Sequence, residues 1–292
     1  MRDEAMAALA DRSVSRIALG GARWSIAEPY SLERVCEIID FACGEGTATY
    51  LDTARAYTAV AEEAHNETII ARALDRLGLR DGVIVGTKGG HFRGPDGWGI
   101  DASPDALRRD CEASLRALGV DAIDLYFLHH PDPQVPIAES VGALAQLRDD
   151  GAVRAIGVCN VTIEQLGAAR DESSIDAVQN PFSPYGGDRA VLELCTAESI
   201  PFLAYSPLGG ARRPAPLIDI SATARRIATE RGESIETVML AWLLAQSPTL
   251  IALTGASRPQ SLASSMRAAR LKLAADDVAA IEHDLNESVT TT

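Results

Sequence analysis

Short apolar, β-branched runs alternate with amphipathic segments along nearly the whole chain. Eight runs of four to seven residues read as buried strands: Val14–Gly20, Ala48–Asp52, Val83–Lys88, Ile123–His129, Ala155–Asn160, Ala177–Asn180, Phe202–Ser206 and Leu250–Thr254. Between them, apolar residues recur at helical spacing over Leu32–Ala42, Glu63–Leu77, Pro104–Leu118 and Ile137–Asp150, and a last helix is predicted over Ala274–Leu285. The clearest helix is Pro104–Leu118. Leu107, Cys111, Leu115 and Leu118 share one face, Ser103 suits the N-cap, Pro104 the first helical position and Gly119 the stop.

Eight strands alternating with helices imply an α/β fold with a parallel sheet and right-handed crossovers. Eight such units predict a (β/α)8 TIM barrel spanning residues 1–292 as a single domain. The alternative, an open doubly wound sheet, usually carries a Gly-rich first turn. No GxGxxG occurs, and Cys43-Gly44-Glu45-Gly46 holds only its first half, ahead of a strand instead of after one. The longest predicted βα loop, residues 89–103, contains His91, Phe92, Arg93 and Trp98 among several glycines, and only a short tail follows the last helix.

A formal net charge of −14 argues against nucleic acid or an anionic membrane surface as partner. No apolar run approaches the ~18 residues of a membrane span. Five cysteines at wide spacing, with no CxxC, predict neither a disulfide framework nor a metal site. Together with the lack of a basic, then apolar, leader, they point to a cytoplasmic protein. With no coiled-coil pattern, a monomer is the default expectation.

Only two of the 27 basic residues are lysines, and Lys88 ends the apolar run Val83–Lys88. Burying an amine is costly unless it is paired, and lysine shifts its pKa where arginine does not. Asp52 ends a second strand, Tyr57 follows five residues later, and His129 ends a third strand. In a barrel these ends share one rim, where adjacent strands lie ~4.8 Å apart. Each residue alone has an ordinary reading: a turn former, a half-buried aromatic, a core histidine. Jointly they suit carbonyl reduction. Tyr57 would protonate the oxygen with its pKa lowered by Lys88, Asp52 would hold Lys88, and His129 would orient the carbonyl. By strand alternation His130 would face away.

The segment Leu51-Asp52-Thr53-Ala54-Arg55-Ala56-Tyr57 resembles the Asp-Thr-Ala-x-x-Tyr motif of the aldo-keto reductases. Gly86-Thr87-Lys88 and Asp124–His129 resemble that family's lysine and histidine motifs, in the same order. The resemblance implies a barrel that binds NADP(H), with NAD(H) as the alternative, and reduces a small-molecule carbonyl substrate. It implies the tetrad Asp52, Tyr57, Lys88 and His129. Gly157-Val158-Cys159-Asn160 is similar to the family's Gly-Val-Ser-Asn, so Asn160 and Gln179 are expected to bond the nicotinamide carboxamide, with Cys159 in the serine position. Phe182 is expected to stack on the nicotinamide. Tyr205, Ser206, Pro207, Leu208 and Gly209 resemble the pyrophosphate loop. Gly21 is expected to face the cofactor, and Gly255, Ser257 and Arg258 the adenosine phosphate. Ser264-Ser265 depart from the Glu-Asn of many relatives near the adenine, and Arg212 and Arg213 read as solvated. Trp24, Phe92 and Trp98 are expected pocket walls. Two rival readings stand beside this one: an aldolase-like Schiff base on Lys88, and a cofactor-binding regulatory subunit of slow turnover.

Overall fold

A computed structural model describes residues 5–26, 29–44, 50–58, 64–94, 97–210, 215–255 and 258–290. Eight parallel strands form the centre: β1 (Ile17–Gly20), β2 (Tyr50–Asp52), β3 (Ile84–Gly89), β4 (Leu125–Leu128), β5 (Ile156–Cys159), β6 (Ala177–Ser183), β7 (Phe202–Tyr205) and β8 (Leu250–Thr254). Each pairs with its neighbour in sequence, and β8 pairs with β1, Ala252 opposite Ile17, so the sheet closes into a (β/α)8 TIM barrel. Apart from a single turn at Leu217–Ile220, the α-helices between and after the strands are α1 (Leu32–Gly44), α2 (His65–Leu77), α3 (Pro104–Leu118), α4 (Ile137–Asp149), α5 (Ile163–Glu172), α6 (Arg189–Ala197), α7 (Ala222–Arg231), α8 (Ile235–Ala245), α9 (Pro259–Ala268) and α10 (Ala275–Thr290) among the described residues. The caps expected for α3 are present: Ser103 accepts from the Ala106 amide, and Gly119 adopts φ 67°.

Strand alternation divides the core into two layers. Tyr50, Ile84, Leu125, Phe127, Cys159, Ala177, Leu203 and Ile251 pack with one another inside the barrel. Tyr126, Leu128, Val158, Val178, Phe182, Phe202 and Ala252 belong to the outer layer beneath the helices. Two glycines make room within. A Cβ on Gly86 would overlap the Tyr50 ring, and one on Gly157 the Phe127 ring.

The predicted strand Val14–Gly20 is broken at Arg16. Met6–Leu9 and Arg12–Ser15 form an antiparallel hairpin whose turn residues Ala10 and Asp11 have φ of 46° and 60°, the left-handed geometry that matches strand twist. Its Leu9 and Val14 pack into the interior cluster as a floor. The Arg16 side chain donates to the carbonyls of Leu244, Ser247 and Leu250, while its own carbonyl accepts from the Ala252 amide of β8. At the opposite rim the long βα loop folds into a second hairpin, His91–Gly94 against Gly97–Ile100.

Candidate active site

The carboxyl ends of β2, β3 and β4 deliver the acid, the amine and the imidazole into one buried cluster. Lys88 is 0% exposed, Asp52 3% and His129 6%. Lys88 Nζ donates to Asp52 Oδ2 at 2.7 Å and to the Thr53 carbonyl at 2.8 Å. Asp52 Oδ1 accepts from Gln179 Nε2 at 2.8 Å and from the Tyr50 hydroxyl at 3.2 Å. The buried carboxylate is therefore held by three donors, which is what a charge at this depth requires.

Tyr57 lies on the loop after β2, its ring centroid 5.0 Å from Lys88 Nζ. The ring meets His129 edge-on at 5.7 Å. Burial pushes the Tyr57 phenol up to about 12, against the pull of Lys88. The lowering expected from the lysine is present but outweighed by desolvation. Tyr57 is thus a neutral phenol, the form that gives a proton. Burial works against the Lys88 ammonium, but Asp52, with Tyr57 and Cys159, more than offsets it and holds the amine above its ordinary value. Burial first, then Lys88 and the two neighbouring histidines, drive His129 well below the usual imidazole range, so it is neutral. Cys159 is 1% exposed beside this pair, its thiol pushed up by burial, and so unreactive.

A second ring of polar contacts surrounds the tetrad. Asn160, left-handed at φ 58°, donates from Nδ2 to the His129 carbonyl at 2.9 Å and accepts at Oδ1 from the Tyr205 hydroxyl at 2.7 Å. Asparagine tolerates that backbone where most side chains do not. After Tyr205 the chain turns sharply. Ser206 has φ 49°, the Gly209 amide donates to the Ser206 carbonyl, and Gly209 and Gly210 are left-handed at 84° and 64°.

Some expected site residues are placed elsewhere. Phe182 is 2% exposed and packs edge-on against Phe202 in the outer layer. Three residues from Gln179 is an odd step along β6, so the two face opposite sides. The aromatic ring at the interior register of a strand end is Tyr205, part-exposed at the mouth. Trp24 is 0% exposed and packs with Val35, Ile38, Ile70 and Leu74 as core, not as a pocket wall. Phe92 and Trp98 do stand at the rim, 43% and 48% exposed. His130 does not turn away. β4 ends at Leu128, the alternation lapses, and His130 stacks on His129 at 5.2 Å. Gly21 is sealed in, since a Cβ there would come within 2.8 Å of Asn66 Oδ1. Gly255 is exposed after β8, and Arg258 caps α9 in extended backbone. Ser257, Arg212 and Arg213 lie outside the described residues.

Sequence reading missed Tyr50, two residues before Asp52 on the same strand face, a period-2 signal that was available. It also missed the Gln179–Asp52 bond across the barrel, for which no local signal exists.

The model of the aldo/keto reductase family matches residues 16–285. The chain belongs to the aldo/keto reductase family. Among aldo-keto reductases of known sequence, str7 of Strobilurus tenacellus is 30% identical over 86% of this chain and 81% of that one. The structure of the glycerol dehydrogenase AKR11B4 from Gluconobacter oxydans superposes with a TM-score of 0.84 at 26% identity, covering 98% of this chain and 96% of that one. A Klebsiella pneumoniae aldo-keto reductase in complex with NADPH superposes at 0.78 with 25% identity, covering 95% and 94%. As a member of this family, the chain is an oxidoreductase acting on carbonyl compounds, built on the same barrel.

Proposed function

We propose that the protein is an NADPH-dependent reductase of aldehydes or ketones, with Tyr57 as proton donor. The observation that carries this reading is the buried Lys88–Asp52 pair set beneath a neutral Tyr57 phenol, with neutral His129 across from it. NADPH, when bound, supplies the hydride. The residues present fit such a cofactor. Asn160 and Gln179 carry carboxamides at adjacent strand ends, Tyr205 offers a ring face, and the turn at Ser206–Gly210 presents backbone amides suited to phosphate oxygens. Arg258, at the start of α9, would pair with a 2′-phosphate.

A carbonyl oxygen seated between Tyr57 and His129 would receive an N–H hydrogen bond from His129, which fixes its direction. As negative charge develops, Tyr57 passes its proton to that oxygen. The phenolate left behind is stabilised by the Lys88 ammonium, which Asp52 keeps charged and in place. The same groups run the oxidation of an alcohol in reverse.

The Schiff-base alternative is disfavoured. A nucleophilic amine must be accessible and deprotonated, and Lys88 is fully buried, twice hydrogen-bonded and held above its ordinary pKa.

The test is NADPH binding by fluorescence, with NADH as competitor, followed by NADPH oxidation against a panel of aldehydes, ketones and keto sugars. Tyr57→Phe should keep nucleotide binding and lose turnover by roughly 10²–10⁴-fold. Absence of binding by either nucleotide would sink the reading. Single-turnover oxidation without steady-state turnover would instead favour a regulatory role.

A further inference from the structure

Around His129 the rim gathers side chains, His91 and His130, that carbonyl reduction does not use. Gly90, left-handed at φ 79° and with its amide bound to Asp110 Oδ2 at 2.9 Å, turns the chain at the end of β3. That turn brings His91, the first residue of the rim hairpin, over the end of β4. Its ring lies 4.7 Å from both His129 and His130, edge-on to each. Trp98 stacks on its other side at 4.9 Å. Each of the three histidines offers a ring nitrogen, and the three nitrogens lie within 4.8 Å of one another. The buried Nδ1 atoms of His91 and His129 have no hydrogen-bond partner among the described residues. An imidazole nitrogen buried without a partner is costly, and two of them beside His130, whose Nε2 lies 3.3 Å from Asn160 Nδ2, mark a place for something that accepts lone pairs.

We propose that His91, His129 and His130 form a binding site for a transition-metal dication of the zinc class, and that filling it reversibly inhibits the enzyme. Three imidazoles with an open fourth position are a known way to hold zinc. Burial also keeps these rings in the neutral form that ligates. Lys88 opposes positive charge at His129, and its partner Asp52, 2.7 Å from Nζ, reduces that opposition.

Inhibition follows from geometry. Zinc–nitrogen bonds of ~2.0–2.1 Å set the ligand atoms of a tetrahedral site roughly 3.3 Å apart. Closing from a spread of up to 4.8 Å would shift His129 from the place in which it now meets the Tyr57 ring. The ion and the carbonyl therefore compete for His129. Cysteine spacing gave no hint of the site, because its ligands come from two strand ends 38 positions apart.

The proposal rests on the reductase reading for its effect on rate, but not for the binding. The experiment titrates Co²⁺ and then Zn²⁺ into chelator-treated, tag-free protein, without nucleotide. The expected result is a one-to-one visible spectrum of four-coordinate Co²⁺, displaced by Zn²⁺. His91→Asn and His130→Asn should each weaken binding by roughly tenfold or more, with folding checked by circular dichroism. In the wild-type chain, Zn²⁺ should protect His91 and His130 from diethyl pyrocarbonate, read by mass spectrometry. NADPH oxidation should fall with one equivalent of Zn²⁺ and return with chelator. Absence of a Co²⁺ spectrum, or a spectrum and protection that ignore both replacements, overturns the site. Binding that leaves NADPH oxidation untouched overturns the inhibition. If the protein oxidises no NADPH at all, the reductase reading fails while the cobalt titration still decides the site.

Discussion

At the residue scale, Asp52 sets the character of the site. It accepts from Lys88, Gln179 and Tyr50, groups from β2, β3 and β6, so one carboxylate ties three strands together. Removing one member of a buried ion pair strands the other charge, at a cost of about 3–5 kcal/mol. Lys88→Met is therefore expected to lose both turnover and stability, since it leaves the buried Asp52 carboxyl without its cation. Adding Asp52→Asn to Lys88→Met should recover most of the lost stability in urea unfolding and none of the turnover. If the double variant is no more stable than Lys88→Met, the carboxylate is not strained by the missing lysine and the pair is not a coupled unit.

At the scale of elements, α2 is bolted to the strand that carries the lysine. Glu67, on the buried face of α2 and 0% exposed, accepts from Thr87 Oγ1 at 2.5 Å, next to Lys88 on β3. Burial raises this carboxyl to about 7, with Thr87, Ser114 and Arg55 pulling it down and Asp110 pushing it up. The unfolded chain would titrate it near 4.3. The folded state thus holds a proton that the unfolded state gives up. The stability this group contributes is whole below about pH 4, declines as pH rises and is gone above about 7, a swing on the order of 3 kcal/mol. Glu67→Gln keeps an acceptor for Thr87 without the titration. Relative to this variant, the wild type should lose melting temperature between pH 5 and pH 8; parallel curves would show that Glu67 does not titrate in that range. The elements differ in how legible they were. The strands stood out as short, largely apolar runs because both faces of each are covered. α8 lacks a polar stripe, as Thr237–Leu244 are all buried, so it had no amphipathic signature. The tetrad was readable because strand ends converge in a barrel. The placements of Phe182 and Trp24 were not, because the resemblance fixed their positions along the chain but not the face each side chain takes. His91 depends on the turn at Gly90, which only the folded loop displays.

At the scale of the whole molecule, the barrel separates stability from chemistry by its two ends. The carboxyl ends hold the tetrad and the exposed rim hairpin with Phe92 and Trp98. The amino ends are closed by the Met6–Leu9/Arg12–Ser15 hairpin, whose Leu9 and Val14 are 1% and 0% exposed and complete the interior layer begun by Ala18 and Ile251. Leu9 and Val14 sit at the end of the barrel opposite the tetrad, so a defect in this floor should be felt as lost stability alone. Leu9→Ala removes a fully buried side chain from a layer that the closed sheet cannot collapse to refill, and should cost about 2–5 kcal/mol. Below its lowered melting temperature the variant should keep the wild-type rate of NADPH oxidation, and its affinity for NADPH should be unchanged. Measuring unfolding and turnover on the same preparation decides the matter. A rate that falls while the fold is still intact would mean that the interior layers transmit strain from floor to rim through Tyr50 and Phe127, and that the two ends of this barrel are not independent.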